Sequence, residues 1–222
     1  MNYLFSANEL MTMLALTGAK KAFIFDISEQ EIKEEELIRC LYRLYSRNLL
    51  IQQDDAFILS AEINEIIKCI SKVKRVLRVD YPNNNIASRL IYRLNASEII
   101  VLEHLFTDLE DIYRLSTMNI QEFTESLLTD ELYELYPSIR TFLKGDEVNQ
   151  NRLTMDTMIE DSSICLSISL IMCKKEEIIE QLSVNQRGLL YETELRGRRN
   201  ETRAYNEEYF KEQIFKELER CN

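Results

Sequence analysis

Residues 98–128 read EIIVLEHLFTDLEDIYRLSTMNIQEFTESLL, and they carry the clearest structural signal in the chain. Its apolar runs predict two strands, at 98–106 and 110–117, joined by an acidic turn. Asn119 follows as a helix cap, because its side-chain oxygen can accept a hydrogen bond from a free backbone N–H of the first turn. The stretch therefore predicts a β-hairpin followed by a helix.

The same order of elements returns at residues 189–218, with an arginine-rich turn and with Asn206 as the cap. The match lies in order and spacing rather than in identity, so it predicts two β-hairpin–helix halves that share one sheet. Chance similarity between short amphipathic elements is the alternative.

The segment between these two halves predicts less regular structure, with one exception. Residues 129–160 are weakly patterned and predict a short helix and loop. Ile164–Cys173 alternates large apolar side chains with smaller ones, which predicts a strand. That strand is either central in the sheet or exposed to a partner. Glu176–Leu182 predicts one or two helical turns.

The first 80 residues predict alternating helices and strands. Ser6-x-x-Glu9 has the spacing of a capping box and begins the first helix. Residues 57–59, after the Asp54-Asp55 turn, predict a short strand. Residues 61 to about 76 predict an amphipathic helix with an apolar side made of Ile63, Ile66, Ile67, Ile70 and Val73. The middle helix is predicted to carry an apolar stripe of five residues: Leu37, Ile38, Leu41, Leu44 and Tyr45.

Tyr81-Pro82-Asn83-Asn84-Asn85 is the clearest break in the chain. It divides a helix-rich, winged-helix-like segment, residues 1–80, from a sheet-and-helix region, residues 81–222. The latter has two similar parts, 81–160 and 161–222, expected to pack as one globular domain. The predicted class is α+β, with a mixed and mainly antiparallel sheet.

Composition excludes most of the common enzyme motifs. The 222 residues include one histidine and four glycines, so no Gly-rich phosphate loop and no pair of metal-binding histidines can be drawn. Five widely spaced cysteines predict reduced thiols rather than a disulfide framework. The beginning of the chain lacks the basic region of a signal peptide. We therefore expect a cytoplasmic protein with no catalytic, metal or cofactor site.

Charge is unevenly distributed along the chain. Net charge is −11, and residues 81–161 carry 6 basic and 15 acidic side chains. An acidic surface of this kind repels nucleic acids and anionic membranes. We therefore expect neither as a partner, and we expect the charge to keep the protein soluble.

Two groups of residues could carry acid–base chemistry. A nucleophile paired with histidine would have to use His104, although a lone histidine without a supporting motif is more often structural. Asp108, Glu110 and Asp111 cluster in the turn between the predicted strands. They lack the spacing of a calcium loop, which favours a solvated hairpin tip.

Arg39, Arg43 and Arg47 fall on one helical stripe. In a winged-helix protein this stripe would face DNA and residues 52–57 would form the wing. The alternative function is therefore a winged-helix transcription regulator with a C-terminal sensing domain. A charged outer face is favoured, because acidic residues extend the same stripe and a DNA-binding region should show a basic excess.

A second basic group surrounds the predicted turn near residue 197. It consists of Arg196, Arg198, Arg199 and Arg203. These side chains could clamp an acidic partner or a phosphate, or they could pair with acidic residues of the same chain.

The order of elements resembles the EspG-type chaperones of type VII (ESX) secretion. The resemblance covers most of the chain and rests on elements rather than a short motif, and the Ile-, Lys-, Glu- and Asn-rich composition resembles that of a low-GC Firmicute protein. The corresponding segments are Ser6–Leu16, Leu37–Leu50, Ile63–Leu77, Arg78-Val79, Arg89–Leu94, Ile99–Leu105, Ile112–Leu128 and Gly188–Leu195 through Leu218.

This resemblance implies a cytosolic, non-enzymatic chaperone. Such a protein would bind the apolar tip of a helical secretion substrate and keep it soluble and competent for export. If the family's use of its sheet carries over, Leu170, Met172, Leu189 and Tyr191 would contact the client. The oligomeric state is not predicted.

Overall fold

The computed structural model describes residues 2–19, 22, 32–82, 86–105, 111–128, 130–136, 162–172, 175–185, 190–195 and 201–221. The chain is α+β, as predicted, and its strands are mainly antiparallel. It divides into two compact units. Unit 1 comprises Met1–Val76, Arg89–Asn119 and Cys221–Asn222, and unit 2 comprises Leu77–Ser88 and Ile120–Arg220.

Unit 1 begins with helices and a small hairpin. Its helices are α1 (Ala7–Leu16), α2 (Glu34–Ser46) and α3 (Ala61–Lys72), and its two-stranded sheet pairs β2 (Leu50–Gln53) with β3 (Ala56–Leu59). The predicted capping box at Ser6 and Glu9 is confirmed. So are the β2–β3 turn and the buried isoleucines of α3, which are Ile63, Ile66, Ile67 and Ile70.

Positive backbone φ angles shape the connection between α2 and the hairpin. Asn48 follows α2 with a φ of 58°, and Asp54 has a φ of 52° in the turn between β2 and β3. Asn and Asp tolerate this left-handed conformation better than most residues. Asn48 therefore allows the short connection from α2 to β2, and Asp54 allows the turn from β2 to β3.

The main sheet of unit 1 is antiparallel. It contains β1 (Asn2–Ser6), β5 (Arg89–Arg93), β6 (Glu98–Leu105) and β7 (Ile112–Asn119), in the order β1-β7-β6-β5. The predicted β6–β7 hairpin is confirmed, with Leu105 opposite Ile112. Residues 99–102 are completely or almost completely buried, so β6 lies in the core.

Strand β1 was not predicted. It is only five residues long, and among them only Phe5 is fully buried. Its stability comes from antiparallel pairing with β7, from Asn2 opposite Ser116 to Ser6 opposite Ile112. This pairing places residues 89–119 in the same compact unit as the amino-terminal segment, although the sequence predicted a division after residue 80.

Unit 2 contains a second series of strands. They are β4 (Arg75–Asp80), β8 (Ser162–Met172), β9 (Lys175–Asn185), β10 (Leu190–Glu194) and β11 (Glu201–Ala204), in the order β4-β8-β9-β10-β11. The first two residues of β4 belong to unit 1. The helices are α4 (Ile120–Glu125), α5 (Asp130–Leu135) and α6 (Glu207–Arg220). The predicted cap of α6 is confirmed, because Tyr209 N–H donates to Asn206 Oδ1 at 2.9 Å.

Two predictions of helical structure were wrong. Glu176–Leu182 is not helical but lies within β9, which pairs with β8 on one side and β10 on the other. The predicted α3 helix ends at Lys72 rather than continuing to residue 76, and β4 begins at Arg75. In both places tertiary pairing and burial override a local helical preference.

The two predicted hairpin–helix halves have the same register. The pair nearest the turn is Leu105–Ile112 in β6–β7 and Glu194–Glu201 in β10–β11, so six residues of sequence separate the strands in each hairpin. A helix follows each hairpin. The strands and helices predicted within 98–128 and 189–218 are therefore present, and their relation as two similar halves of one domain stays a prediction.

Candidate functional site

Helix α2 buries less of its apolar surface than the sequence predicted. Cys40 and Leu44 are fully buried, but Ile38, Tyr42 and Tyr45 are 59%, 73% and 46% exposed. Of the predicted apolar stripe, Leu37 is also exposed, at 37%, so Leu37, Ile38 and Tyr45 do not lie in the core. Residues 38, 42 and 45 are spaced i, i+4, i+7, so they form one continuous stripe on the outside of the helix.

The β2–β3 hairpin extends this stripe. Phe57 in β3 is 38% exposed, and its ring meets the ring of Tyr45 edge-on at a centroid distance of 5.7 Å. Among the described residues, an adjoining open groove of about 470 Å³ is lined by Glu36, Ile38, Arg39, Tyr42 and Arg43. We refer to Ile38, Tyr42, Tyr45 and Phe57 as the α2–β3 surface.

Elsewhere on α2, a buried carboxylate holds two of the three predicted arginines. Glu9 lies 3.5 Å from Arg43 Nε and 3.6 Å from Arg47 Nη1, and its other role is to accept the Ser6 N–H in the capping box. Arg43 also binds Glu36 at 2.8 Å. These pairs bind the arginine side of α2 to α1 and leave Arg39 as the most exposed of the three.

Arg47 has a further role at the edge of the sheet. Its Nη2 donates to the backbone oxygen of Leu4 in β1 at 2.8 Å, and its guanidinium lies 4.9 Å from the centre of the Phe5 ring. An edge strand with free carbonyl groups can pair with another chain, and side chains that occupy those groups reduce this tendency. Arg47 therefore covers part of the β1 edge.

The predicted client-binding residues lie mainly inside unit 2. Leu170 in β8 and Tyr191 in β10 are buried, Met172 is partly exposed, and Leu189 lies outside the described residues. Leu170 and Tyr191 therefore do not form an accessible surface in this conformation. Their contact with a client stays a prediction.

A cluster of acidic side chains in unit 2 was not predicted. Glu180 in β9 and Glu192 in β10 are 2% and 0% exposed, and Arg203 in β11 binds Glu192 at 3.0 Å and Glu194 at 3.7 Å. The Arg203 guanidinium also lies 3.4 Å from the ring centre of Tyr209 in α6. Of the predicted basic group around residue 197, Arg203 pairs within the chain, and Arg196, Arg198 and Arg199 lie outside the described residues.

Burial controls protonation in this cluster. Burial and the neighbouring Glu192 charge raise the pKa of Glu180 to about 9. Burial also raises the pKa of Glu192, although Arg203 opposes this shift. Because two close carboxylates in a buried site cannot both ionise easily, the raised pKa keeps Glu180 protonated at neutral pH. The pair is too enclosed to meet a substrate directly.

Of the acid–base candidates, His104 and Asp111 contact each other. His104 Nε2 lies 2.9 Å from Asp111 Oδ1, and the His104 ring stacks on Tyr113 at 4.8 Å. Asp108 and Glu110 lie outside the described residues. Across the described part of the chain, no three or more His, Cys, Asp or Glu side chains are grouped to hold a metal ion.

The structure also bears on membrane contact. No helix in the described part of the chain is long and apolar enough to span a membrane.

Comparison with known proteins gives no family: no protein-family model matches the chain, and no curated protein sequence is significantly similar to it.

Proposed function

We propose that this protein is a cytosolic, non-enzymatic chaperone or adaptor, of the kind that EspG-type proteins are. It would bind an apolar helical tip of a type VII secretion substrate and keep it soluble and competent for export. The observation that carries this proposal is the α2–β3 surface, where three side chains of one helix and an adjoining phenylalanine are exposed together.

The composition and support of this surface suit protein recognition. Tyrosine contributes large contact area at low conformational cost and is enriched at binding hot spots. The surface lies on a helix and a strand whose other sides are packed, with Cys40 and Leu44 anchoring α2 and Leu59 anchoring β3. Charged residues of α2 border it, which matches an apolar centre with a polar rim.

The same side chains are placed well for a helical client. Ile38, Tyr42 and Tyr45 present a ridge along the α2 axis, and a second amphipathic helix can pack its own ridges beside them. Apolar positions at i, i+4 and i+7 of that client would meet the stripe. This arrangement is the physical basis for shielding an apolar tip from water.

The alternative, a winged-helix regulator, has less support. Arg43 and Arg47 are held by Glu9, so they would have to leave a buried carboxylate to bind phosphate. The hairpin that would be the wing carries Asp54 and Asp55 at its exposed tip. Negative charge at this position repels a DNA backbone.

The test is capture of a client by the full chain and by matched variants. We expect the wild-type protein to recover one stoichiometric polypeptide from its own host under nuclease treatment, and the purified polypeptide to bind again. Ile38→Glu should abolish this binding, because it places a charge in the centre of the α2–β3 surface. Leu135→Glu is the control, since Leu135 is 54% exposed on α5 and lies outside this surface.

Circular dichroism should show that both variants remain folded. Equal client binding by Ile38→Glu and wild type would overturn the proposed site. Duplex DNA binding at low salt that is lost in Arg39→Ala, without any polypeptide partner, would favour the regulator instead.

A further inference from the structure

We infer that a second copy of this chain binds the α2–β3 surface, through antiparallel pairing of β3 with β3 of that copy about a two-fold axis at Phe57. The inference goes beyond the proposed function, because it holds whether or not the protein binds a client. It comes from the open edge of β3, the apolar area beside that edge and the mixed charge around it.

The outer edge of β3 has open backbone groups at Phe57. Ser60 N–H donates to the backbone oxygen of Leu49 at 2.9 Å, so residues 49 and 60 are a hydrogen-bonded pair of the hairpin. Such pairs alternate with non-hydrogen-bonded pairs along an antiparallel ladder, which makes Gln52–Phe57 a non-hydrogen-bonded pair. The N–H and C=O of Phe57 therefore point away from β2, and none of the described residues binds them.

This edge lacks the protection that other outer strands have. Arg47 occupies a backbone oxygen of β1, and β11 carries Glu201 and Arg203. Residues 56–59 read AFIL, with no charge and no proline, and among the described strands β3 pairs with β2 alone. Charges and prolines on an edge strand discourage pairing with another chain. Strand β3 is therefore open to such pairing, and its residues 56–58 are exposed.

A two-fold axis at Phe57 satisfies this edge with the chain's own sequence. In a hydrogen-bonded antiparallel pair, each residue donates its N–H to the C=O of the other. Phe57 of one copy can therefore exchange both bonds with Phe57 of the second copy. The two Phe57 rings then lie side by side on the face that holds Tyr45, as a favourable cross-strand aromatic pair. The α2 stripe of each copy consequently borders the interface.

The exposed apolar area fits an interface of this kind. Ile58, at 41% exposed, adds to the four side chains of the α2–β3 surface. At roughly 200 Å² for each full side chain, their exposed fractions amount to about 500 Å² on one copy. A stable interface buries about 800 Å² on each partner. The apolar side chains supply more than half of this area, and the strand edge and the charged rim supply the remainder.

The charges around the surface also suit a second copy. Glu36, Arg39 and Arg43 line the groove, so its rim holds both signs. A two-fold interface brings a patch against its own copy, and a patch of one sign would repel itself, whereas this mixed rim does not. Asp54 and Asp55 at the hairpin tip do not oppose the pairing, because antiparallel β3 strands place the two tips at opposite ends.

Cysteine cross-linking tests the pairing directly. The Cα atoms of a hydrogen-bonded pair are about 5.5 Å apart, a distance that a disulfide can span. We expect Phe57→Cys to give a disulfide-linked dimer of the full chain on mild oxidation. Gln52→Cys is the matched control, since Gln52 lies opposite Phe57 on β2. Three strand spacings, about 14 Å, separate it from its copy, so it should not cross-link.

Sedimentation equilibrium measures the association itself. As the concentration of the full chain rises from roughly 1 to 100 μM, we expect its mass to rise from 26.3 kDa toward twice that value. Phe57→Ala and Phe57→Pro both remove the ring, but only proline removes the N–H. Phe57→Pro should therefore associate about tenfold more weakly than Phe57→Ala. Gln52→Pro, the same change on β2, should associate like the wild type.

The contrary outcomes are distinct. A wild type that stays monomeric throughout this range overturns the inference, as does equal cross-linking of the two cysteine variants. Equal weakening by Phe57→Pro and Gln52→Pro would mean that association needs an intact hairpin rather than the β3 edge, and would also overturn it.

These results are separate from the test of the proposed function. If the wild type is monomeric and Ile38→Glu abolishes client capture, the proposed function holds and only this inference fails. A dimer that cross-links at Phe57, in a protein that captures no client, would support the inference and contradict the proposed function.

Discussion

The two hairpins of this protein share a register but differ in the charges they bury. In unit 1, Glu103 of β6 lies opposite Arg114 of β7, eleven residues later. In unit 2, Glu192 of β10 lies opposite Arg203 of β11, again eleven residues later. The same cross-strand pair of glutamate and arginine therefore occurs at the same place in both hairpins.

The two hairpins differ in the side chains that the neighbouring strand, β5 or β9, places beside the buried glutamate. Arg89 of β5 lies opposite Glu103 and binds it at 2.8 Å, so this carboxylate lies between two guanidinium groups. In unit 2, Leu182 of β9 lies opposite Glu192, and Glu180 of the same strand adds a second buried acid. In unit 1 the buried carboxylate is therefore balanced by two guanidinium groups. In unit 2 the additional carboxyl group stays neutral by keeping its proton.

This comparison shows that a cross-strand pair cannot be judged from its two members alone. A guanidinium on the neighbouring strand lets a buried carboxylate remain charged, whereas a second carboxyl forces one group to stay neutral. Stability and pH dependence should consequently differ between the two hairpins, although their backbones are alike.

Loss of Arg203 should have the largest effect on stability. Arg203→Ala removes the cation that contacts Glu192, and breaking a buried ion pair from one side typically costs about 3–5 kcal/mol. Hydrogen exchange followed by mass spectrometry should show faster exchange in β9–β11. Unchanged protection there would mean that Glu192 does not depend on Arg203. Arg203→Lys is the control, and it should retain part of the protection.

Glu180→Gln should stabilise the protein, and its effect should depend on pH. Burial raises the pKa of Glu180 from 4.5, the value for an exposed glutamate, to about 9 in the folded protein. Folding between pH 4.5 and pH 9 is therefore accompanied by uptake of a proton. Stability from this group is therefore greatest at low pH and falls as pH rises through that window. At pH 7 the cost is about 3 kcal/mol, at 1.36 kcal/mol for each pH unit above 4.5.

Glutamine has the shape of the protonated acid but needs no proton. Urea unfolding between pH 5 and pH 9 should therefore show a gain for Glu180→Gln that grows with pH. A constant difference across this range would contradict the proton-holding pair. Glu103→Gln offers the matching change in unit 1, where the loss of a charge between two arginines should destabilise instead.

Arg114→Ala should have the smallest effect of these changes. Arg114 is 40% exposed, and Arg89 remains beside Glu103 after the substitution. We expect a loss of about 1 kcal/mol, near the upper end for exposed pairs. A loss as large as that of Arg203→Ala, measured in the same way, would remove the distinction between the two hairpins.

The sequence predicted the elements whose signals are local. The capping box at Ser6 and Glu9, the isoleucine stripe of α3 and the Asn206 cap were each visible in a few neighbouring residues, and each is confirmed. The hairpins were predicted for the same reason, since a short connection joins strands that are adjacent in sequence.

Elements that depend on distant partners were missed or assigned wrongly. Strand β1 needs β7, which lies more than a hundred residues away, and β9 has a glutamate-rich sequence that favours a helix until β8 and β10 pair with it. For the candidate site, periodicity identified the apolar residues of α2 but did not show which of them would be exposed.

The buried face of α2 was set by packing against α1.

Capping, periodicity and turn chemistry act over a few residues, so they were enough to predict an acidic α+β chain with two β-hairpins, each followed by a helix. Packing between distant segments set three further features: Glu9 holds Arg43 and Arg47, Ile38, Tyr42 and Tyr45 stay exposed, and Glu180 lies close to Glu192. These contacts join residues far apart in the chain, and burial changes their charge states. Their energies therefore exist only after the strands and helices have packed.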